Sequence, residues 1–193
     1  MKISFTESES KLIKRCKEGD AKAQYKLYKL YSKGMYNIAI RMTNDHGTAE
    51  DVIQDSFIKA FSEIQKLQNE KAFGGWLKRI VINRCIDATR KKRIVFTDME
   101  LISVKHMDIA EEVDDSIDPE LVHHFIKKLP DGARQILVMR ALEGYKHADI
   151  AEKFRISEST AKTQYFRAKQ LLSKMIIDET RSGKIFERES AKA

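Results

Sequence analysis

Apolar residues recur at spacings of three and four along most of the chain, which is the period of an α-helix with one buried face. From residue 21 to 43 this spacing predicts an amphipathic helical stretch, and Asp20 is well suited to cap its N-terminus. The pattern stops at 44–47. Thr48, with Asp51 three residues on, then resembles a capping box and predicts the start of the next helix.

Two further helices in this half divide into an apolar and a polar side. The helix after Thr48 has acids near its N-terminal end, where they also suit the helix dipole. A polar loop at 68–75 precedes a helix at about 76–92, whose outer side is predicted to hold Asn83 and Ile86. The inward positions predicted for the two helices are Ile53, Phe57, Phe61, Ile64 and Leu67, then Leu77, Val81, Cys85 and Ala88.

Helix signals resume after residue 117. Asp118 and Pro119 are predicted as N-cap and first-turn proline of a helix that ends before Pro130. The next helix is predicted over about 133–142, with Ala141 on its inward face.

A helix-turn-helix pattern follows. A short helix at 147–154, a turn at 155–157 and a long helix from Glu158, capped by Ser157, have the required lengths. Ala161, Tyr165, Ala168 and Leu172 are predicted to face inward. The outer face then carries an aromatic among basic and polar side chains, a combination that can read DNA, although an ordinary helical hairpin is the alternative. Its residues are Lys162, Thr163, Phe166, Arg167, Lys169 and Gln170.

Composition supports an all-α fold. Gly and Pro together make up 10 of 193 residues, too few for the turns of a β-sandwich or barrel. No apolar run reaches the ~18 residues of a membrane helix. The N-terminus lacks an apolar signal core, so a cytoplasmic location is predicted. Two cysteines make neither a disulfide framework nor a zinc site.

Charge divides the chain further. The net charge is +7, but residues 97–120 alone contribute −8, which leaves +15 for the rest. We therefore predict two basic domains, at 1–95 and 118–178, joined by a flexible acidic linker at 96–117 and followed by a polar tail at 179–193. A solvated acidic loop inside a single domain is the alternative. The acids do not form a calcium-binding loop, so no metal site is predicted.

The strongest basic cluster lies at 78–93, where seven bases accompany one acid. Asn83 lies within the cluster, and Asn69 and Lys71 lie in the loop before it. An amide beside many basic side chains favours contact with the nucleobases and phosphates of a nucleic acid over a merely solvated helix face.

Three blocks of the chain resemble the extracytoplasmic-function (ECF) group of alternative sigma factors, within the sigma-70 family. AEDVIQDSFIKAF at 49–61 is similar to region 2.2, and FGGWLKRIVINRCIDATRKKR at 73–93 is similar to regions 2.3 and 2.4. LPDGARQILVMRALEGYKHADIAEKFRISESTAKTQYFRAKQLL at 129–172 is similar to region 4. Their order, with an acidic linker and no region 1 or 3 between them, makes the resemblance specific, and it covers roughly 10–178.

Two positions depart from the family pattern. Arg155 stands in the helix-turn-helix turn where the family usually has glycine, and Ala161 replaces a more usual valine. If the turn needs a positive φ, a residue with a Cβ costs on the order of 1 kcal/mol there.

The resemblance implies a subunit of the RNA polymerase holoenzyme with no chemistry and no cofactor of its own. Its fold would be two small helical domains, the region 2 bundle and the region 4 helix-turn-helix. Its implied partners are core polymerase, through the clamp coiled coil of the largest subunit and the flap, and promoter DNA. An inhibitory anti-sigma factor is common in the family, and no membrane insertion is expected.

The resemblance also implies site residues, in three groups. The helix that docks on the clamp would bear Glu50, Asp51, Gln54, Asp55 and Phe57. The single-stranded −10 element would meet Asn69, Lys71, Lys78, Arg79, Asn83, Arg90, Lys91, Lys92 and Arg93. The duplex −35 element would meet Lys162, Thr163, Gln164, Phe166 and Arg167.

Two other classes of protein remain as alternatives. A stand-alone DNA-binding regulator would use only the C-terminal helix-turn-helix, with the first domain for dimerisation or sensing. An enzyme such as a basic nuclease fits poorly, because no metalloprotease, dinucleotide, P-loop or serine-hydrolase motif is present. His123 and His124 are adjacent on a helix and therefore point in different directions, so they share no metal site.

Overall fold

Turn and capping residues divide the N-terminal half of the chain into four helices. In the computed structural model, which describes residues 8–91 and 119–181, α1 is Glu9–Lys17 and α2 is Ala21–Thr43. Helix α3 is His46–Ser62 and α4 is Phe73–Lys91. Two short 3-10 turns, Ile64–Lys66 and Glu70–Ala72, connect α3 to α4.

Four more helices follow in the C-terminal half. They are α5, Pro119–Lys128; α6, Asp131–Leu137; α7, His147–Phe154; and α8, Glu158–Arg181. The chain divides into two compact units, with the division between Lys92 and Arg93. The described residues contain no strand, and the predicted all-α fold is confirmed. The predicted linker at 96–117 and the N-cap Asp118 lie outside these residues, as does the tail beyond 181.

Carboxylate caps set the starts of α2 and α3. Asp20 accepts hydrogen bonds from the backbone N–H groups of Lys22 and Ala23, as predicted. The cap of α3 was predicted wrongly, because Asp45, and not Thr48, holds that position. The Asp45 carboxylate accepts from the Thr48 N–H at 2.8 Å, so the helix begins three residues earlier than the sequence pattern indicates.

Helix α4 also begins earlier than predicted, at Phe73 rather than Trp76. The Phe73 side chain is fully buried, and its ring lies 5.3 Å from that of Tyr31 on α2. Gly74 permits this close approach, since a Cβ there would lie 3.0 Å from the Tyr31 ring. Burial of Phe73 therefore outweighs the low helix propensity of the two glycines that follow it.

The buried face of α4 is wider than its apolar stripe. Helix α4 packs against both α2 and α3, so Ile80 and Ile82 are buried in addition to the predicted Leu77, Val81 and Cys85. The prediction that Ile86 lies on the outer side is wrong, because that residue is buried too.

The helix after Pro130 differs from its prediction. Helix α6 ends at Leu137 and continues as a π-helical turn, Val138–Leu142, in which the Glu143 N–H donates to the Val138 carbonyl at 3.0 Å. The wider turn changes the direction in which the side chains after it point around the helix axis. Ala141 is therefore exposed and not inward as predicted.

A buried arginine supports the C-terminal unit. The Arg134 side chain is 2% exposed, and its guanidinium donates to the Leu129 carbonyl at 2.8 Å and pairs with Asp131. It thereby ties α6 to the end of α5 across Pro130. The spacing of apolar residues did not predict the burial of Arg134, because arginine is counted there as a surface residue and is buried only when it has a partner.

Candidate nucleic-acid interface

The outer face of α3 is acidic and ends in an exposed apolar side chain. Glu50, Asp51, Gln54 and Asp55 are exposed, as their predicted contact role requires. Ile58, one turn further along, is 69% exposed, the most exposed of the large apolar side chains in the described residues. We call these five residues the α3 face. Their spacing places them on one side of the helix, and the exposure of Ile58 was not predicted.

Phe57 does not belong to this face. Its side chain is 3% exposed, and its ring packs edge-on against Tyr28 at 4.9 Å and lies near Phe61. Its prediction as a direct polymerase contact is therefore wrong, since it lies on the side of α3 that packs against α2.

Helix α4 presents a basic face. Arg79, Asn83 and Arg90 are exposed at spacings of four and seven, which places them on one side of the helix. Lys78 is half-buried, and Lys91 is the last residue of the helix. The remaining predicted contacts, Lys92 and Arg93, lie outside the described residues.

A groove joins the acidic and the basic helices. Asp51 and Asp55 of α3 line it on one side, and Arg84 and Arg90 of α4 line it on the other. Asp51 and Asp55, predicted to contact protein, are therefore neighbours of Arg90, which was predicted to contact DNA. Sequence position alone does not show this, because about thirty residues separate them.

The loop before α4 holds the two remaining predicted contacts of this unit. The Asn69 side chain accepts from the Lys71 N–H at 3.0 Å and caps the 3-10 turn Glu70–Ala72. Asn69 therefore has a structural role, while Lys71 is exposed.

The helix-turn-helix has the predicted boundaries. Arg155 has φ of 56°, so a non-glycine residue occupies the left-handed conformation that the turn requires. The Ser157 hydroxyl accepts from the Thr160 N–H at 3.0 Å and caps α8, as predicted.

Helix α8 has a buried and an exposed side. Ala161 and Ala168 are buried, whereas the Phe166 ring is 51% exposed. Tyr165 was predicted to be inward but is only half-buried, with its ring edge-on to His147 at 5.4 Å. Of the other predicted DNA contacts, Lys162 and Thr163 are exposed, and Gln164 and Arg167 are partly exposed.

Comparison with known families matches both units. The family model for sigma-70 region 2 matches residues 27–94, and the model for sigma-70 region 4 matches residues 120–172. The chain belongs to the sigma-70 family. Both matches have the order that the sequence blocks predicted, and together they cover well over half of this sigma factor.

Curated relatives place the sigma factor in the ECF group. It is 29% identical over 180 residues to the ECF RNA polymerase sigma factor SigW of Bacillus subtilis, covering 87% of this chain and 96% of the relative. It is 28% identical to the RNA polymerase sigma-H factor of Pseudomonas aeruginosa, covering 88% and 94% of the two chains. The predicted family is confirmed, and the protein directs promoter-specific transcription by RNA polymerase.

Solved structures share the fold. One is the sigma factor RpoE in complex with the anti-sigma factor NepR from Bartonella quintana, with a TM-score of 0.52 and 20% identity, covering 79% of this chain and 95% of that one. Another is CnrH in complex with the cytosolic domain of CnrY, with a TM-score of 0.51 and 19% identity, covering 90% and 99%. At these identities the likeness concerns the fold alone.

The cysteines of the sigma factor are poor nucleophiles. Both are buried, and burial raises the pKa of the Cys16 thiol to about 11 and that of Cys85 to about 12. Within residues 8–91 and 119–181, no cluster of His, Cys, Asp and Glu is arranged to hold a metal ion. No helix in those two ranges is long and apolar enough to cross a bilayer.

Proposed function

We propose that this sigma factor docks on the clamp coiled coil of the largest polymerase subunit through its α3 face. The observation that carries the proposal is the composition of that face, with three carboxylates followed one turn later by an exposed isoleucine. Acidic groups repel phosphates, so the α3 face is unsuited to DNA and fits a protein partner. Ile58, at the C-terminal end of the face, supplies an exposed apolar side chain of the kind that protein interfaces bury.

The α4 helix and the loop before it then hold the −10 element as a single strand. Arg79 and Arg90 supply positive charge for the backbone, and the Asn83 amide can both donate to and accept from a base. The groove between α3 and α4 supports this division, because acids of the proposed docking face and Arg90 of the proposed −10 contacts line it together. Asn69, Lys71 and Lys78, with Lys91 to Arg93, complete the proposed −10 contacts.

The α8 helix reads the −35 element in the duplex. As the second helix of a helix-turn-helix, it enters the major groove with its N-terminal turns. Lys162 and Thr163 lie in those turns, and the exposed Phe166 follows one turn later, with Gln164 and Arg167 alongside. Contact of this unit with the polymerase flap would hold it over the −35 element.

The protein acts in this scheme as a binding subunit in the cytoplasm, with no chemistry of its own. An anti-sigma factor is a further proposed partner. One structural neighbour, RpoE, was solved with an anti-sigma factor, which supports the presence of a comparable partner for this chain.

Run-off transcription with purified core polymerase and a promoter library tests this function. We expect transcripts only when the protein and core polymerase are both present. A stand-alone regulator would instead bind its operator without polymerase and would start no transcripts, and no structural observation favours that alternative.

Reversing the charge of the α3 face is expected to weaken core binding. The double variant Asp51→Lys and Asp55→Lys should lose roughly tenfold to hundredfold in affinity for core polymerase, because two rim attractions become repulsions. Competition with the unaltered protein for core polymerase measures this loss. Glu152→Lys, an exposed acid on α7, is the matched control. A double variant that competes as well as the unaltered protein would show that the α3 face is not the docking surface.

Substituting the amide of α4 is expected to remove base discrimination in the −10 element. Asn83→Ala should reduce the preference of the holoenzyme for its best −10 base at one position by roughly tenfold, corresponding to about 1–3 kcal/mol for a base-reading contact. Arg90→Gln should instead weaken binding to all sequences and lower the salt dependence by about one phosphate contact. If the two variants have the same effect, Asn83 is a backbone contact.

A further inference from the structure

Two opposite charges meet on the first turns of α8. The Lys162 ammonium nitrogen lies 2.8 Å from the Glu158 Oε1, and both side chains remain at least half exposed. The hydrogen bond from Lys162 holds the pKa of the Glu158 carboxyl below its usual range, so the acid is ionised under physiological conditions. An exposed pair at this spacing adds little to helix stability, and an acid in the first turn also suits the helix dipole.

The geometry of this pair matches the edge of a base pair. In a G·C pair the guanine O6 acceptor and the cytosine N4 donor are hydrogen-bonded to each other, so they lie about 2.9 Å apart, and both are accessible from the major groove. The ion pair offers the complementary groups at nearly the same spacing, with a donor at Lys162 Nζ and an acceptor at Glu158 Oε1, 2.8 Å from each other.

We propose that Glu158 is a specificity-determining residue, which reads one base pair of the −35 element jointly with Lys162. Lys162 donates to the keto oxygen of one base, and Glu158 accepts from the amino group of the opposite base. This inference rests on the proposed function of α8 as the −35 reader and adds a residue to it. Glu158 is the first residue of the helix, the end that enters the groove first.

The joint contact distinguishes the two orientations of a base pair, which Lys162 alone does less well. A G·C pair, and to a lesser degree a T·A pair, presents the acceptor and the donor in the required order. In the inverted pairs C·G and A·T, the amino donor of a base faces the Lys162 ammonium and the keto acceptor faces the Glu158 carboxylate. Both contacts then fail together. Guanine is preferred over thymine because its N7 gives Lys162 a second acceptor.

The hydroxyl groups next to this pair are less able to read a base pair. The Thr163 hydroxyl donates to the Ser159 carbonyl at 3.0 Å, and the Ser159 and Thr160 hydroxyls each hydrogen-bond with that of Ser157. Each of these hydroxyls is thus already engaged in a hydrogen bond within the cap or the helix, and Thr163 can still accept one from a base. The charged pair of Glu158 and Lys162 is the further group on these turns that can bind a base pair.

A promoter selection with the holoenzyme tests this inference. The full-length protein with bacterial core polymerase selects from a library randomised across the −35 element, for the unaltered chain and for Glu158→Ala. We expect the unaltered chain to prefer one orientation of one base pair roughly tenfold to hundredfold over its inversion. In Glu158→Ala that preference should fall by about tenfold, while other positions change by less than about twofold.

Matched variants separate base reading from net charge. Glu152→Ala removes one exposed acid from α7 without altering the pair, and should leave every base preference unchanged. Lys162→Met should lose the same preference as Glu158→Ala, and the double variant should lose no more than Lys162→Met alone, because the two residues act as a unit.

Each outcome has one meaning. A Glu158→Ala holoenzyme that keeps every base preference, or changes only as Glu152→Ala does, would overturn the role of Glu158 and leave the proposed function intact. An unaltered holoenzyme that selects no promoter would overturn the proposed function and this inference with it.

Discussion

Replacing Phe73 by alanine is expected to lower the free energy of unfolding of the N-terminal unit by about 3–5 kcal/mol. The side chain is 0% exposed, and its ring lies 5.3 Å from that of Tyr31 and 6.0 Å from that of Trp76. Removing it leaves a cavity at the junction between α2 and the start of α4. Because the loop with Asn69 and Lys71 leads directly into this junction, promoter opening should fall as well.

Tryptophan fluorescence measures this effect in one unit of the intact chain. Trp76 is the only tryptophan among 193 residues, and it lies beside Phe73. Urea unfolding followed by its emission therefore reports the N-terminal unit. Tyr25→Ala is the control, since this exposed aromatic of α2 should change the stability by only about 0.5 kcal/mol. Equal losses in the two variants would mean that Phe73 does not anchor α4.

Replacing Phe166 by alanine is expected to weaken binding of the holoenzyme to the −35 element by roughly tenfold or more, with little loss of stability. The ring is 51% exposed on the basic side of α8, where it can meet a thymine methyl. An exposed ring has little packing to lose, so the free energy of unfolding should change by less than about 0.5 kcal/mol. Promoter binding and amide hydrogen exchange in α6 to α8 measure the two effects separately.

Tyr165→Ala is the matched control for that prediction. Tyr165 is half-buried and packs edge-on against His147 of α7, so its removal should destabilise the C-terminal unit by about 1–3 kcal/mol. The loss is smaller than for a fully buried aromatic. Faster exchange in Phe166→Ala and unchanged exchange in Tyr165→Ala would reverse the assignment of the DNA-reading side.

Local signals in the sequence were sufficient to predict the boundaries of the helix-turn-helix. The ends of α7 and the start of α8 are correct to the residue, because Ser157 and the spacing of Ala161 and Ala168 act within a few residues of each other. The sequence left open whether the turn at Arg155 needs a positive φ, and the structure shows that it does, with φ of 56°. The same reasoning correctly placed Phe166 on the exposed side.

Packing between helices decided what periodicity did not. Ile86 was predicted on a polar side but is buried, since α4 is covered by two neighbouring helices and a single stripe underestimates its buried face. Ala141 turned outward because of a π-helical turn, which apolar spacing does not reveal. The contact role predicted for Phe57 failed because its ring lies against Tyr28, a residue 29 positions earlier.

The sequence by itself determined the family, the helical class and the faces that carry charge, because these depend on residue type and on spacing within one helix. Only the tertiary structure showed that the acids of α3 and the bases of α4 share a groove, since distant segments meet there. It alone showed the buried Arg134 and the exposed Ile58, whose environments depend on neighbouring helices. The pairing of Glu158 with Lys162 depends on both sequence and structure. The i,i+4 spacing in the sequence permits it, and the side-chain conformations in the structure decide it.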